Sequence, residues 1–142
     1  MIPRGAALFG ILGLVPFLAL SSLAQWPVEH VALGWLSEGN WLLLHYATVI
    51  FCFMGGVLWG FATRSEGAEA RLAYGLAVLP AIFAMLTLLP VHDHRIEALL
   101  AGFLGLLALD FWFWNEGLAP VWWMRFRVLL SLVVLASLTA AL

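Results

Sequence analysis

Apolar residues fill this chain in five long stretches, and polar positions gather in the gaps between them. A helix that crosses the hydrocarbon core of a bilayer needs about 20 mainly apolar residues, each adding about 1.5 Å. The stretches predict helices over residues 6–23, 41–62, 72–89, 96–114 and 122–142. Pro16 falls inside the first and Pro80 inside the third; each removes a backbone hydrogen bond and bends its helix. In the longest gap, from Gln25 to Asn40, the apolar run Val31 to Leu36 reads as a short helix lying in the membrane interface. No internal repeat, low-complexity tract or linker divides the sequence, so residues 1–142 are expected to form one domain. The expected fold class is an all-α integral membrane protein, a bundle of five transmembrane helices.

Composition supports that class. The chain is 65% hydrophobic and 10% charged, with a mean hydropathy of +1.06. Soluble domains are about half apolar and about a quarter charged, so there are too few charges here to build a water-facing surface. The net charge of −2 gives no basic footprint for nucleic acid. Cys52 is the only cysteine, which excludes an intramolecular disulfide and a four-cysteine metal site.

Charge then orients the bundle. All six basic residues are arginines. If the helices alternate, Arg4, Arg64, Arg71, Arg125 and Arg127 share one side and Arg95 alone takes the other. The positive-inside rule puts the N-terminus in the cytoplasm, or in a mitochondrial matrix, and the C-terminus outside, which in a bacterial inner membrane is the periplasm. Arg4, an apolar run and Ser22-Leu23-Ala24 also resemble a signal peptide with its cleavage site. The run is longer than such segments and contains Pro16, which favours a membrane span. Trp26, Trp35, Trp41, Trp59, Trp112, Trp114, Trp122 and Trp123 lie near span ends, where indole rings prefer the headgroup level.

Three groups of residues invite a chemical reading. In the second span, Thr48, Cys52, Gly56 and Gly60 form a ladder of small residues, which lets helix backbones approach closely in lipid. The favoured reading is packing inside the bundle; a dimer seam is the alternative, and a path for a small solute, with His45 at its outer end, is a third. Asp110 is the one acidic residue well inside a span. A lone charge there is costly, so a pair with Arg127 is expected, with Arg125 as the alternate and an interhelical clamp as the role. His45, His92, His94 and Glu97 fall on the outer side with His30, Glu29, Glu38 and Asp93. Imidazoles and carboxylates together suit a transition metal, and His45 facing His92 or His94 would suit an axial haem pair. His-x-His spacing is also common in helix-capping turns, so no cofactor is predicted; haem or a metal is the minor alternative.

The sequence lacks a glycine-rich phosphate loop, a zinc-protease helix motif and a nucleophile elbow. Cys52 lies in mid-span in apolar surroundings, as a packing residue rather than a nucleophile.

Several segments resemble the bacterial membrane family known as domain of unknown function 3429, which has a mitochondrial relative. They are Ile2-Pro3-Arg4-Gly5-Ala6, Gly13 to Phe17, Phe53-Met54-Gly55-Gly56-Val57-Leu58-Trp59-Gly60, Leu89-Pro90, Gly102-Phe103 with Asp110, and Trp123 to Arg127. Where the family commonly has a histidine before the tryptophan of its central motif, this chain has Leu58. The resemblance implies a small inner-membrane protein of about five helices and carries no functional residue with it. The expected role is non-enzymatic: an accessory or assembly factor, or a small subunit, of an energy-transducing membrane complex. Its partners would be the lipid bilayer and a membrane protein or further copies of itself. The rival is a small carrier, channel or redox module, holding haem, metal or quinone, that uses the His45–Gly60 face and the outer histidines.

Overall fold

The computed structural model describes residues 1–25, 39–89 and 94–142. They form five helices: α1 (Arg4–Gln25), α2 (Gly39–Ala62), α3 (Gly67–Thr87), α4 (Arg95–Asn115) and α5 (Trp123–Thr139). The interfacial helix expected over Val31–Leu36, together with Trp26, His30, Trp35, Pro90, His92 and Asp93, lies outside the described residues.

Neighbouring helices pack in a closed ring, α1–α2–α3–α4–α5 and back to α1, and α2 also meets α4 across the centre. Buried side chains from all five helices join in one core, including Phe17, Leu43, Phe51, Ala77, Phe103 and Val134. Phe51 and Phe103 meet edge to face with centroids 5.2 Å apart, where α2 and α4 cross. Large apolar side chains such as Leu8, Phe9, Ile11, Phe53, Ile82, Met85 and Leu132 cover the outside. In water such a surface would collapse or aggregate; in lipid it is the solvated face.

Four helices among the described residues, α1 to α4, are long and apolar enough to cross a membrane. The fifth expected span is corrected. α5 has 17 residues, about 25 Å of helix against a hydrocarbon core of about 30 Å. The apolar sequence continues to Leu142, but the helix ends at Thr139. At its other end Arg125 and Arg127 are the third and fifth residues of the helix and shorten the uncharged part further. α5 completes the ring without being a span of its own.

Two turns bring the arginine-bearing ends together. α4 stops at a left-handed residue, Gly117, with φ +73°. Leu118 N–H donates to Phe113 C=O at 3.0 Å and Gly117 N–H to Trp114 C=O at 3.1 Å. This paired closure of the last free carbonyls is the Schellman motif, and it needs glycine at the positive φ. The chain reverses there and sends α5 back along α4. Arg64, in the turn between α2 and α3, donates from Nη1 to Leu118 C=O at 3.1 Å. The α2–α3 and α4–α5 turns therefore sit at the same end of the bundle.

Candidate functional site

The α4–α5 reversal puts the last turns of α4 beside the first turns of α5. Asp110 lies five residues before the end of α4, and Arg127 is the fifth residue of α5. Both are buried, Asp110 to 1% exposure and Arg127 to 3%. Arg127 Nε donates to Asp110 Oδ2 at 2.6 Å. Trp123, one turn earlier on α5, donates its indole N–H to Asp110 Oδ1 at 2.7 Å. Each carboxylate oxygen thus has a donor, as a buried charge requires. The guanidinium carbon also lies 6.0 Å from the Trp123 ring centroid, within reach of a cation–π contact.

Aromatic rings wall this cluster off. Phe61 of α2 meets Trp123 edge to face at 5.0 Å and lies 6.4 Å from Phe113. Phe126 packs against α1 at Gly10, where any larger residue would collide with its ring. The chemistry of the arrangement is that of a fixed neutral pair: a carboxylate saturated by donors and a guanidinium held in one orientation. One guanidinium nitrogen, Nη2, is buried without a hydrogen-bond partner among the described residues, as is Ser131 Oγ one turn further along α5.

Arg125, the alternate partner, is exposed on the far side of the same turn. Trp123 was the unexpected member. Read from the sequence it belongs to an interfacial belt; in the structure it is buried and serves as a donor. Its spacing of four from Arg127 is the signal that marks both for the same helix face. Trp114, by contrast, keeps a surface position and donates to Val121 C=O at 3.3 Å.

The small-residue ladder of α2 divides. Thr48 is buried and returns its hydroxyl to Leu44 C=O at 2.8 Å. Cys52, Gly56 and Gly60 face outward, and a Cβ at Gly56 or Gly60 would meet nothing within 4 Å. The expectation that they pack inside the bundle is therefore corrected. The inward face is one residue over, through Phe51, Gly55, Leu58 and Ala62. Gly55 is the glycine in use, because a Cβ there would lie 3.1 Å from the ring of Pro80 on α3. Hydropathy could not separate these faces, since lipid and protein interior are both apolar.

Of the histidines expected on the outer side, His45 and His94 are among the described residues. His45 Nδ1–H donates to Trp41 C=O at 2.7 Å, and its ring lies 3.9 Å from that of Trp41. His94 Nδ1 is 3.0 Å from Glu97 Oε1 across the first turn of α4, and both are solvent-facing. Among the described residues no group of three or more His, Cys, Asp and Glu side chains is placed to hold a metal; His92 lies outside them.

These features define a polytopic helical membrane protein with a buried, donor-saturated ion pair joining two of its helices. The chain belongs to the family described as "Protein of unknown function (DUF3429)", which matches residues 2–142. It is 30% identical over 144 residues to Transmembrane protein 69 of Xenopus tropicalis, a match covering 99% of this chain and 54% of that relative. The chain thus spans about half the length of the curated relative it matches. No solved structure matches it.

Proposed function

We propose that the protein is a non-catalytic accessory or assembly subunit of a larger membrane complex, holding a partner's transmembrane helix against the outer face of α2. The observation that carries this reading is the open space at Gly56 and Gly60. Glycine inside a helix costs roughly 0.5–1 kcal/mol relative to alanine. That cost is offset where a second backbone must come close, and among the described residues none does. α2 already meets α1, α3 and α4, so the bare ridge faces away from the protein's own helices. The resemblance to a family with a mitochondrial relative supports an energy-transducing inner-membrane complex as the host, in the bacterial inner membrane. The positive-inside rule supports an arginine-rich end in the cytoplasm. The outward placement of Cys52, Gly56 and Gly60 also favours docking over the rival carrier, channel or redox module, because a solute path along that face would run through lipid.

The test is native mass spectrometry after gentle extraction from the source membrane. Wild-type protein should carry another polypeptide at fixed stoichiometry. Gly56→Leu with Gly60→Leu should release it, since a Cβ at either position has no neighbour within 4 Å among the described residues. A bare monomer, or a homo-oligomer alone, would sink the proposal.

A further inference from the structure

Among the described residues three buried polar atoms of α5 lack a partner, and two of them, Arg127 Nη2 and Ser131 Oγ, belong to residues that border a common pocket. A cavity of about 120 Å³ lies among α1, α2, α4 and α5, and its lining includes Gly13, Phe17, Phe53, Phe103, Arg127 and Ser131. Phe53 is 63% exposed on the outer surface of α2, so the pocket reaches the face that lipid covers. Phe17 and Phe103, both buried, stand edge to face at 6.4 Å and make its inner wall. Arg127 and Ser131, one helical turn apart, supply the polar part. A single water needs only about 10–15 Å³ of such space, so the volume admits a larger molecule.

We infer that this pocket binds a lipid-soluble molecule through a neutral carbonyl oxygen. The physical argument has three parts. The Arg127 Nη2 group and the Ser131 hydroxyl are donors buried without partners, an arrangement that costs stability unless something accepts from them. Asp110 already neutralises the guanidinium at 2.6 Å. An anionic ligand would bring a second negative charge beside that carboxylate in a medium of low dielectric, and a neutral acceptor avoids this. The remaining lining is aromatic, aliphatic or glycine, suited to an apolar body entering sideways from the bilayer. A ring carbonyl of a quinone and an acyl-ester carbonyl of a phospholipid share this chemistry. The inference does not depend on what covers α2.

The experiment places the full chain in nanodiscs of ester-linked or of ether-linked lipid, adds decylubiquinone, and reads bound mass by native mass spectrometry. Wild type should retain decylubiquinone in both lipids, or one ester-linked lipid that ether-linked lipid does not replace; the first identifies a quinone-type ligand and the second a lipid. Ser131→Ala should weaken retention roughly three- to tenfold, the loss of one hydrogen bond. Gly13→Leu, whose side chain has open space at its Cβ, should fill the pocket and abolish retention. Thermal unfolding of both variants should match or exceed wild type, since Ser131 Oγ has no partner to lose. Retention of neither molecule by wild type, as when water alone occupies the pocket, overturns the inference, and so does equal retention by wild type and both variants.

Discussion

Asp110 and Arg127 lie on one plane of contact, and their energetics are those of a pair rather than of two residues. Removing one charge leaves the other buried and uncompensated, which costs about 3–5 kcal/mol. Asp110→Asn is therefore expected to lower stability by about that amount in detergent unfolding, while Asp110→Leu combined with Arg127→Met restores most of it. Equal losses in the single and double variants would show that the pair itself, and not the orphaned charge, matters. The contact was legible in the sequence because a charge inside an apolar stretch has few places to go. Two acceptable partners, Arg125 and Arg127, were also in view; which one faces inward depends on the rotation of α5, and the buried side chains of Trp123 and Phe126 set that rotation. Trp123 itself was not legible as a donor, since an indole near a span end reads the same whether it faces lipid or an aspartate.

At the scale of elements, hydropathy identified where helices run but not which side of each faces in. α1, α2 and α4 begin and end within two residues of their expected positions, and α3 begins five residues earlier than expected, at Gly67, because length and apolarity decide a span but not where its polar first turn starts. The C-terminal limit of α5 escaped the same reasoning, as apolar composition continues where helical hydrogen bonding stops. The faces of α2 are the clearest case. Gly55 and Gly56 are adjacent and chemically identical, yet a Cβ on one would meet Pro80 and a Cβ on the other would meet nothing within 4 Å among the described residues. Gly55→Leu is expected to overpack the α2–α3 contact and cost about 1–3 kcal/mol. Gly56→Leu is expected to leave thermal stability unchanged or slightly raised, because leucine is the better helix former. Parallel melting curves of the two variants check this; a comparable loss in both would mean that the assigned faces are wrong.

The whole molecule has two unlike ends. One carries the α2–α3 and α4–α5 turns, latched to each other by Arg64, with Arg71, Arg125 and Arg127 close by in sequence. The other receives the C-terminal end of α1 and the start of α2, where Gly39 closes on the backbone of Leu23 and Ala24. If the arginine-rich end is cytoplasmic, a cysteine placed at Ser65 in a Cys52→Ala background should react with an impermeant maleimide only in inverted vesicles. Labelling from the outside of intact cells would reverse the orientation.

The donor-saturated aspartate also bears on how the protein is made. An ionised side chain at the centre of a membrane helix costs about 2.5–3.5 kcal/mol on insertion through the translocon; Asp110, five residues from the end of α4, bears part of that cost before the residues that neutralise it leave the ribosome. The Schellman turn at Gly117 brings α5 back along α4, so Trp123 and Arg127 reach Asp110 once α5 is made. A nascent chain ending just beyond Gly117 should therefore integrate α4 less completely than the full sequence, and Asp110→Leu should remove the difference, as glycosylation mapping would report. The short fifth helix, on this view, is the chaperone that its neighbour carries in its own sequence.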